Sequence, residues 1–332
     1  MNILSHIGNT PLLKLNHVVE SPDVEIYVKC EFMNPGGSIK DRMALAMIES
    51  AEKRGELKPG GTIVDQSTGN TGPALAFVGA VKGYNVQLFL PAQLSSTYNP
   101  TDRIRIAKLY GCNVTPIDLD DHLDNINELN DVERAAAFVA IRMKQCYDLQ
   151  ENDPSAWWAN QLCNVDNTKA HREQTGVEIL EQMDGKVDAW VASIGTGGTL
   201  LGVAQTLKES NPDLLVSGVV PTDDPRIEWV RSRAVHQALE HFGAPPLRFL
   251  IEDLLESNVM DNEMVVNNAD AKNMADRLCR EEGLFCGMSS GANVVAAIEM
   301  AKQMEPGSRI VTVLVDRRDR YFVEYPDEHY VV

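Results

Sequence analysis

Val64-Asp65-Gln66-Ser67-Thr68-Gly69-Asn70-Thr71-Gly72-Pro73 joins a β-branched run, Thr62-Ile63-Val64, to an apolar helical run over residues 74–81. A proline at the first helical position is pre-set for a helix, so Pro73 is read as that position and the loop as lying on a helix N-terminus. Several backbone N–H groups and hydroxyls then face one small volume, which suits an anion. The same residues also read as a plain glycine-rich connection in an α/β fold, and locally both readings stand.

Outward from this stretch, residues 24–29 alternate with period two and predict a strand. Asn34-Pro35-Gly36-Gly37-Ser38 is a loop in which Ser38 is read as an N-cap, with Asp41 in the first turn of a helix that ends at Arg54 before Gly55. Strands over 85–90 and 113–117 flank a helix over 101–110, giving a βαβα pattern and hence a parallel sheet covered by helices. Residues 118–160 are acidic, with a helical core over 132–146 and a boundary at Asp153-Pro154-Ser155. Trp157 and Trp158 are read as packing or interface residues. Helices are predicted over 169–183, 198–208, 269–282 and 287–304, with strands over 188–194, 215–220 and 309–315. Residues 223–241, with Arg226, Arg231 and Arg233, are read as a solvated helix. Both halves contain strand, Gly/Thr loop and helix, which points to two domains of related α/β architecture.

The chain has 332 residues and a net charge of −18, which opposes binding to nucleic-acid phosphates or anionic membrane surfaces. No run of about 18 apolar residues and no export-signal pattern occur, so no membrane association and a cytoplasmic location are expected. The six cysteines are scattered without a Cys-x-x-Cys pair and read as reduced thiols, mostly buried. The seven histidines show no metal spacing, so no metal site is expected.

Three further loops carry chemistry. Gly195-Thr196-Gly197-Gly198-Thr199 combines glycines, which permit close backbone approach, with hydroxyl donors at a helix start: a phosphate cradle or a structural turn. It is neither a Walker loop nor a dinucleotide fingerprint. Lys40, on a helix first turn against the macrodipole, is either an exposed lysine offset by Asp41 or an amine of lowered pKa able to form a Schiff base. Gly287-Met288-Ser289-Ser290-Gly291 reads as a helix start with a serine N-cap, or as a neutral partner for a pyridine nitrogen. A neutral partner makes the ring a weaker electron sink, which favours α-proton loss with β-elimination.

Taken in order, Asn9-Thr10-Pro11-Leu12, residues 34–42, 67–72, 195–199 and 287–292 resemble the cysteine synthase and cystathionine β-synthase family, of the tryptophan-synthase-β type. The resemblance covers about residues 3–315. It implies a fold type II pyridoxal 5'-phosphate enzyme with two three-layer αβα domains, mainly parallel sheets and the cofactor in the cleft between them. Residues 1–37 with 152–332 would form the larger, cofactor-phosphate domain, and 38–151 the smaller, mobile, substrate-carboxylate domain. It implies that Lys40 carries the cofactor and shuttles the α-proton, that Asn70 bonds the ring oxygen, and that Ser289 faces the ring nitrogen. Gly195, Thr196, Gly197, Gly198 and Thr199 would hold the phosphate; Ser67, Thr68, Asn70, Thr71 and Gln161 would bind the amino acid's carboxylate. A homodimer and a small amino-acid substrate are implied. So is β-replacement on an activated L-serine or cysteine derivative through an aminoacrylate, with a thiol or sulfide as nucleophile. The alternative is a β-eliminating lyase of the same fold, such as a cysteine desulfhydrase or an enzyme adding water to give serine and sulfide.

The chain departs from the family at several points. Asp65-Gln66-Ser67-Thr68 stands where Glu-Pro-Thr-Ser is usual, and residues 94–100 are longer than the family's turn. Val220-Pro221-Thr222-Asp223-Asp224 replaces the usual Glu-Pro, and the Gly-rich element is absent near residues 244–253. Val315-Asp316-Arg317-Arg318-Asp319 replaces Pro-Asp-Ser/Thr-Gly. Asp223 or Asp224 is a candidate base near Cβ or a solvated loop acid, and Arg226, Arg231 or Arg233 a candidate receptor for a phosphate leaving group.

Overall fold

The computed structural model describes residues 2–19, 23–92, 100–118, 121–123, 128–222 and 226–323. Its strands are β1 Leu12–Lys14, β2 Glu25–Cys30, β3 Thr62–Gln66, β4 Asn85–Pro91, β5 Asn113–Ile117, β6 Ala156–Trp158, β7 Ala189–Ser193, β8 Leu215–Pro221, β9 Asn262–Val266 and β10 Arg309–Leu314. Its α-helices in the first half are α1 Lys40–Arg54, α2 Thr71–Lys82, α3 Thr101–Leu109, α4 Asp131–Asn152, α5 Val165–Ala170 and α6 Gly176–Gln182. Then come α7 Gly198–Ser210, α8 Arg226–Arg231, α9 Ala234–His241, α10 Leu250–Glu256, α11 Asn268–Glu282 and α12 Met288–Ala301.

The chain divides into two units. Unit 1 comprises Met1–Met43, Val165–Asp224 and Leu250–Arg320. Its six-stranded sheet runs β1-β2-β10-β7-β8-β9, parallel except for the β1–β2 pair. Strands β7 and β10 are almost wholly buried runs, as expected of a parallel sheet covered on both faces. On one face Ala189, Val191, Ile310 and Leu314 pack with Val294 and Ala297 of α12. On the other, the fully buried Trp190 donates its indole N–H to the Leu200 carbonyl of α7 (3.3 Å).

Unit 2 comprises Ala44–Asn164, Pro225–Phe249 and Tyr321–Val332. Its four strands run β5-β4-β3-β6, all parallel. Val64 and Phe89 meet Val139, Met143 and Cys146 of α4. Helix α2 lies so close on the sheet that a Cβ on Gly72 would sit 2.8 Å from Leu88 Cδ1, and one on Gly79 2.7 Å from Val86 Cγ2. Both units are therefore α/β layers with mainly parallel sheets.

Several expectations shift. The division falls at Met43 and Asn164 rather than 37 and 151, and Pro225–Phe249 groups with unit 2. The reason is apolar packing: Trp229, Val235 and Leu239 join the α4 core, so 226–241 is two packed helices and not one solvated helix. Trp157 and Trp158 are packing residues, as expected, buried in β6 where it pairs with β3. Helix α2 begins at Thr71, two residues before Pro73; first-turn N–H groups have no intrahelical acceptor, so proline is tolerated there. The helix predicted over 169–183 is interrupted by a π-turn, His171–Thr175. Asn130 and Glu133 form a capping box that starts α4. Residues 94–99, Asp223, Asp224 and the tail beyond Val323, each given a reading from sequence, fall outside the described residues. Among the described residues no helix is long and apolar enough to cross a membrane.

A Cβ on Gly202 of α7 would run into the Thr168 carbonyl oxygen and lie 2.9 Å from Arg172 N. Both are backbone atoms that cannot swing away, so Gly202→Ala should destabilise the fold by about 2–3 kcal/mol. Urea denaturation would show this as a lower midpoint with an unchanged slope.

Candidate functional site

In unit 1, Lys40 is the first residue of α1 and is half-buried. Its N–H donates to Ser38 Oγ (3.3 Å), and the preceding Ile39 N–H donates to the Val315 carbonyl (2.9 Å). Two residues on, Arg42 is buried and forked between two carboxylates. Its Nε and Nη2 donate to Glu31 (2.7 Å each), and its Nη1 and Nη2 donate to Glu178 (2.6 and 2.8 Å). Lys29 adds a 2.7 Å pair to Glu178. Burial alone would raise the Glu178 carboxyl, but Arg42 and Lys29 outweigh it and hold it at about 2.

Asp41 is fully buried and accepts the Gly36 N–H at 2.5 Å. Burial raises its carboxyl to about 7 against the opposing pull of Arg320 and that N–H. A Cβ on Gly36 would lie 2.5 Å from Asp41 Oδ1, so the loop entering Lys40 requires glycine there.

The 195–199 loop leaves β7 and opens α7. Gly197 has φ +89° and its Cβ would lie 3.1 Å from the Leu250 carbonyl, while a Cβ on Gly198 would lie 2.8 Å from Asn167 Oδ1. Thr196 Oγ1 accepts from Gly198 N (3.3 Å) and from Asn167 Nδ2 (3.1 Å). Thr199 Oγ1 pairs with His171 Nε2 (3.1 Å), and His171 Nδ1 pairs with Thr175 Oγ1 (3.0 Å). Burial, then the charges of Lys40 and Arg42, push the His171 pKa well below its ordinary value, so the imidazole is neutral. Bare backbone, two hydroxyls and the start of a thirteen-residue helix fit a phosphate group.

Ser289 is the second residue of α12, half-buried; the N-cap is Gly287, so the serine-cap reading does not hold. The backbone on both sides is fixed, because Gly287 N–H donates to the Asp316 carbonyl (2.9 Å) and Val315 N–H to Ser290 Oγ (2.8 Å).

In unit 2, the 67–72 loop is cross-braced. Asp65, fully buried, accepts the N–H groups of Gln66 (2.8 Å) and Gln161 (3.3 Å). Gln161 Nε2 donates to the Gln66 carbonyl (3.0 Å), and Thr71 Oγ1 donates to Gln161 Oε1. Ser67 Oγ accepts from Gly69 N (3.2 Å) and Gly72 N (3.3 Å), and Asn70 is the N-cap of α2. The structure therefore brings Ser67, Thr68, Asn70, Thr71 and Gln161 together in one unit, and Lys40, the 195–199 loop and Ser289 in the other. Arg226 and Arg231 lie at the two ends of α8 and Arg233 at the N-cap of α9. Sequence reading missed His171, a lone histidine with no motif of its own, and Asp65 as the brace of the loop. Burial pushes the Cys30, Cys112 and Cys286 thiols up to about 12, away from reactivity.

Two outcomes follow for stability. Arg42→Met strands the buried Glu31 carboxylate and should cost about 3–5 kcal/mol in denaturant unfolding. Burial raises the Asp65 carboxyl to about 7, against an ordinary 3.8, with the Gln66 and Gln161 N–H groups opposing the shift. A raised folded pKa means more bound protons in the folded state, so this contribution is present at pH 4 and is lost as pH rises through about 7. Asp65→Asn should flatten the stability profile between pH 4 and 8, read by urea unfolding at each pH.

Among known proteins, the family model described as pyridoxal-phosphate dependent enzyme matches residues 3–316. A cysteine synthase of Staphylococcus aureus is 36% identical over 321 residues, covering 96% of this chain and 94% of that protein. A cystathionine β-synthase of Apis mellifera is 35% identical over 339 residues, covering 99% of this chain but only 62% of that protein. A solved hydrogen sulfide-producing enzyme of Fusobacterium nucleatum superposes with TM-score 0.78 at 30% identity, covering 96% of this chain and 99% of that one. The chain therefore belongs to the pyridoxal-phosphate dependent enzymes, among the cysteine synthases and cystathionine β-synthases.

Proposed function

We propose that this enzyme catalyses β-replacement on an activated L-serine or cysteine derivative, with a thiol or sulfide as the incoming nucleophile. The bound cofactor supplies an electron sink that acidifies the substrate's Cα–H and lets the Cβ substituent leave. Unit 1 is read as the cofactor-phosphate body and unit 2 as the substrate-carboxylate body. The Lys40 amine would hold the cofactor's aldehyde carbon and, once released from it, would move the Cα proton. Thr196, Thr199 and the backbone of Gly195, Gly197 and Gly198 hold the phosphate, with neutral His171 keeping the Thr199 hydroxyl in place. Ser289 would meet the ring nitrogen as a neutral partner, and Asn70 would bond the ring oxygen. Ser67, Thr68, Asn70, Thr71 and Gln161 bind the substrate carboxylate.

The observation that carries this reading is the ring of bonds joining Asp65, Gln66, Gln161 and Thr71, which fixes both ends of the 67–72 loop. A pre-set array of hydroxyls and N–H groups at a helix start suits a carboxylate. A second reading, cysteine-consuming β-elimination, is favoured by the likeness to the hydrogen sulfide-producing enzyme. We also read the protein as a homodimer, which fits the edge position of β1 with Leu13 exposed.

The test is to load the protein with pyridoxal 5'-phosphate and follow the visible band. The unmodified chain should retain it through dialysis and Lys40→Ala should lose it; an unmodified chain that retains no cofactor would overturn the reading. O-acetyl-L-serine or O-phospho-L-serine with sulfide or a thiol should then give the β-substituted alanine. Sulfide released from L-cysteine alone, with no turnover of the activated serines, would select the lyase.

A further inference from the structure

Arg103 lies in the first turn of α3 and is only 2% exposed. Nothing in the helix's own stability asks for a guanidinium there, since a cation at a helix N-terminus opposes the macrodipole and burial removes its hydration. Its contacts point elsewhere. Nε donates to the carbonyl of Thr68, inside the 67–72 loop, at 3.1 Å. Its Cζ lies 4.5 Å from the ring centroid of Tyr321, a cation–π distance. Asp102, its neighbour, accepts the Val323 N–H at 2.7 Å, which pins the turn carrying Tyr321 onto the start of α3.

The loop is packed at Gly72, which lies against Leu88, and open at Gly69. A small cavity lies between Arg103 and the loop, lined by Ser67, Gly69, Pro73, Leu88 and Ile104, and a Cβ on Gly69 would meet nothing within 4 Å. Away from Gly72, polar bonds set the loop's place. Gln161 and Asp65 brace its two ends, and the guanidinium holds its middle. We propose that Arg103 is the positioning residue of the 67–72 loop, held in turn by Tyr321, so that the 321–323 turn of unit 2 tunes the enzyme's affinity for amino acids. This rests on the reading of that loop as the carboxylate site.

The test uses the full chain loaded with pyridoxal 5'-phosphate, unmodified and as Arg103→Leu, Arg103→Lys, Tyr321→Leu and Tyr321→Phe. Each is titrated with L-serine, L-cysteine and O-acetyl-L-serine while the cofactor spectrum is followed. Hydrogen exchange of the peptide covering 67–72 is measured without any amino acid. Arg103→Leu should raise the half-saturating concentration roughly tenfold or more, the loss expected for a charged donor. Tyr321→Leu should do so to a lesser degree, and both should speed exchange of the loop. Arg103→Lys and Tyr321→Phe, which keep the cation and the ring face, should stay close to the unmodified protein. If the leucine variants lose only thermal stability, with half-saturation and loop exchange unchanged, the positioning role is overturned. Should Arg103→Leu fail to fold, Tyr321→Leu decides. Absence of any response by the unmodified protein would sink the carboxylate reading instead, and loop exchange would still judge Arg103.

Discussion

The constraint on which unit 1 depends is the buried guanidinium of Arg42, forked between Glu31 and Glu178. Buried ion pairs add little net stability over apolar packing, but removing one partner is severely destabilising, so such a cluster admits few other arrangements. Around it gather the Thr10 hydroxyl and Asn34 amide, both donating to Glu31 at 2.7 Å, and Lys29, which reaches Glu178 and the Thr10 carbonyl. The N-terminal segment, the end of β2, the first turn of α1 and α6 are thereby held in one register. Lys40 is two residues from Arg42 and inherits that register. Glu178 follows the π-turn that carries His171, so the same cluster also sets the brace behind Thr199.

The 195–199 and 67–72 loops are fixed in place by different physics. In the 195–199 loop the work falls to bare backbone: Gly197 and Gly198 sit where a side chain would strike Leu250 or Asn167. In the 67–72 loop it falls to side chains locked by hydrogen bonds to Gln161 and, behind it, Asp65. The exchange of Glu-Pro for Asp65-Gln66 is coherent in this light. Proline has no N–H, whereas Gln66 offers one, and the shorter Asp65 carboxylate takes it at 2.8 Å. A carboxyl raised to about 7 by burial bonds two backbone N–H groups there, so the brace is a feature of this chain's own pair of residues.

Much of this architecture is legible in the order of the amino acids, because period and punctuation carry it. The strand at 24–29, the strand–loop–helix at 62–82 and the glycine stops at Gly55, Gly83 and Gly283 follow from alternation and from residues suited to positive φ. The Asn130–Glu133 capping box is equally local, a cap and a glutamate three residues on. What escapes a sequence reading is tertiary. Nothing local says that Trp229 and Leu239 pack against α4, so 226–241 reads as solvated. Pro73 reads as the first helical residue, although the whole first turn tolerates proline. His171 carries no spacing signal; it matters only because a π-turn aims its ring between Thr175 and Thr199.

The segment that departs most from its family near the end of the chain shows why a change of sequence need not move the loop that carries Lys40. Val315, Asp316 and Arg317 contact the Lys40 loop and the Ser289 loop through main-chain atoms. Ile39 N–H donates to Val315 O, Arg317 N–H to Gly37 O (3.2 Å) and Gly287 N–H to Asp316 O. These three bonds do not read side-chain identity and survive the replacement of Pro-Asp-Ser/Thr-Gly, whereas the Val315 N–H bond to Ser290 Oγ is one that a proline there could not make. The new side chains make ion pairs. Arg318 pairs with Asp276 of α11, and Arg317, half-exposed, pairs with Asp319. Arg317 Cδ would lie 3.2 Å from a Cβ on Gly37, and Arg320 donates to the Gly36 carbonyl. A loop that carries the lysine is thus held from behind by a charged segment rather than by a glycine turn. The geometry that places Lys40 sits in the backbone, and the licence to vary sits in what the side chains face.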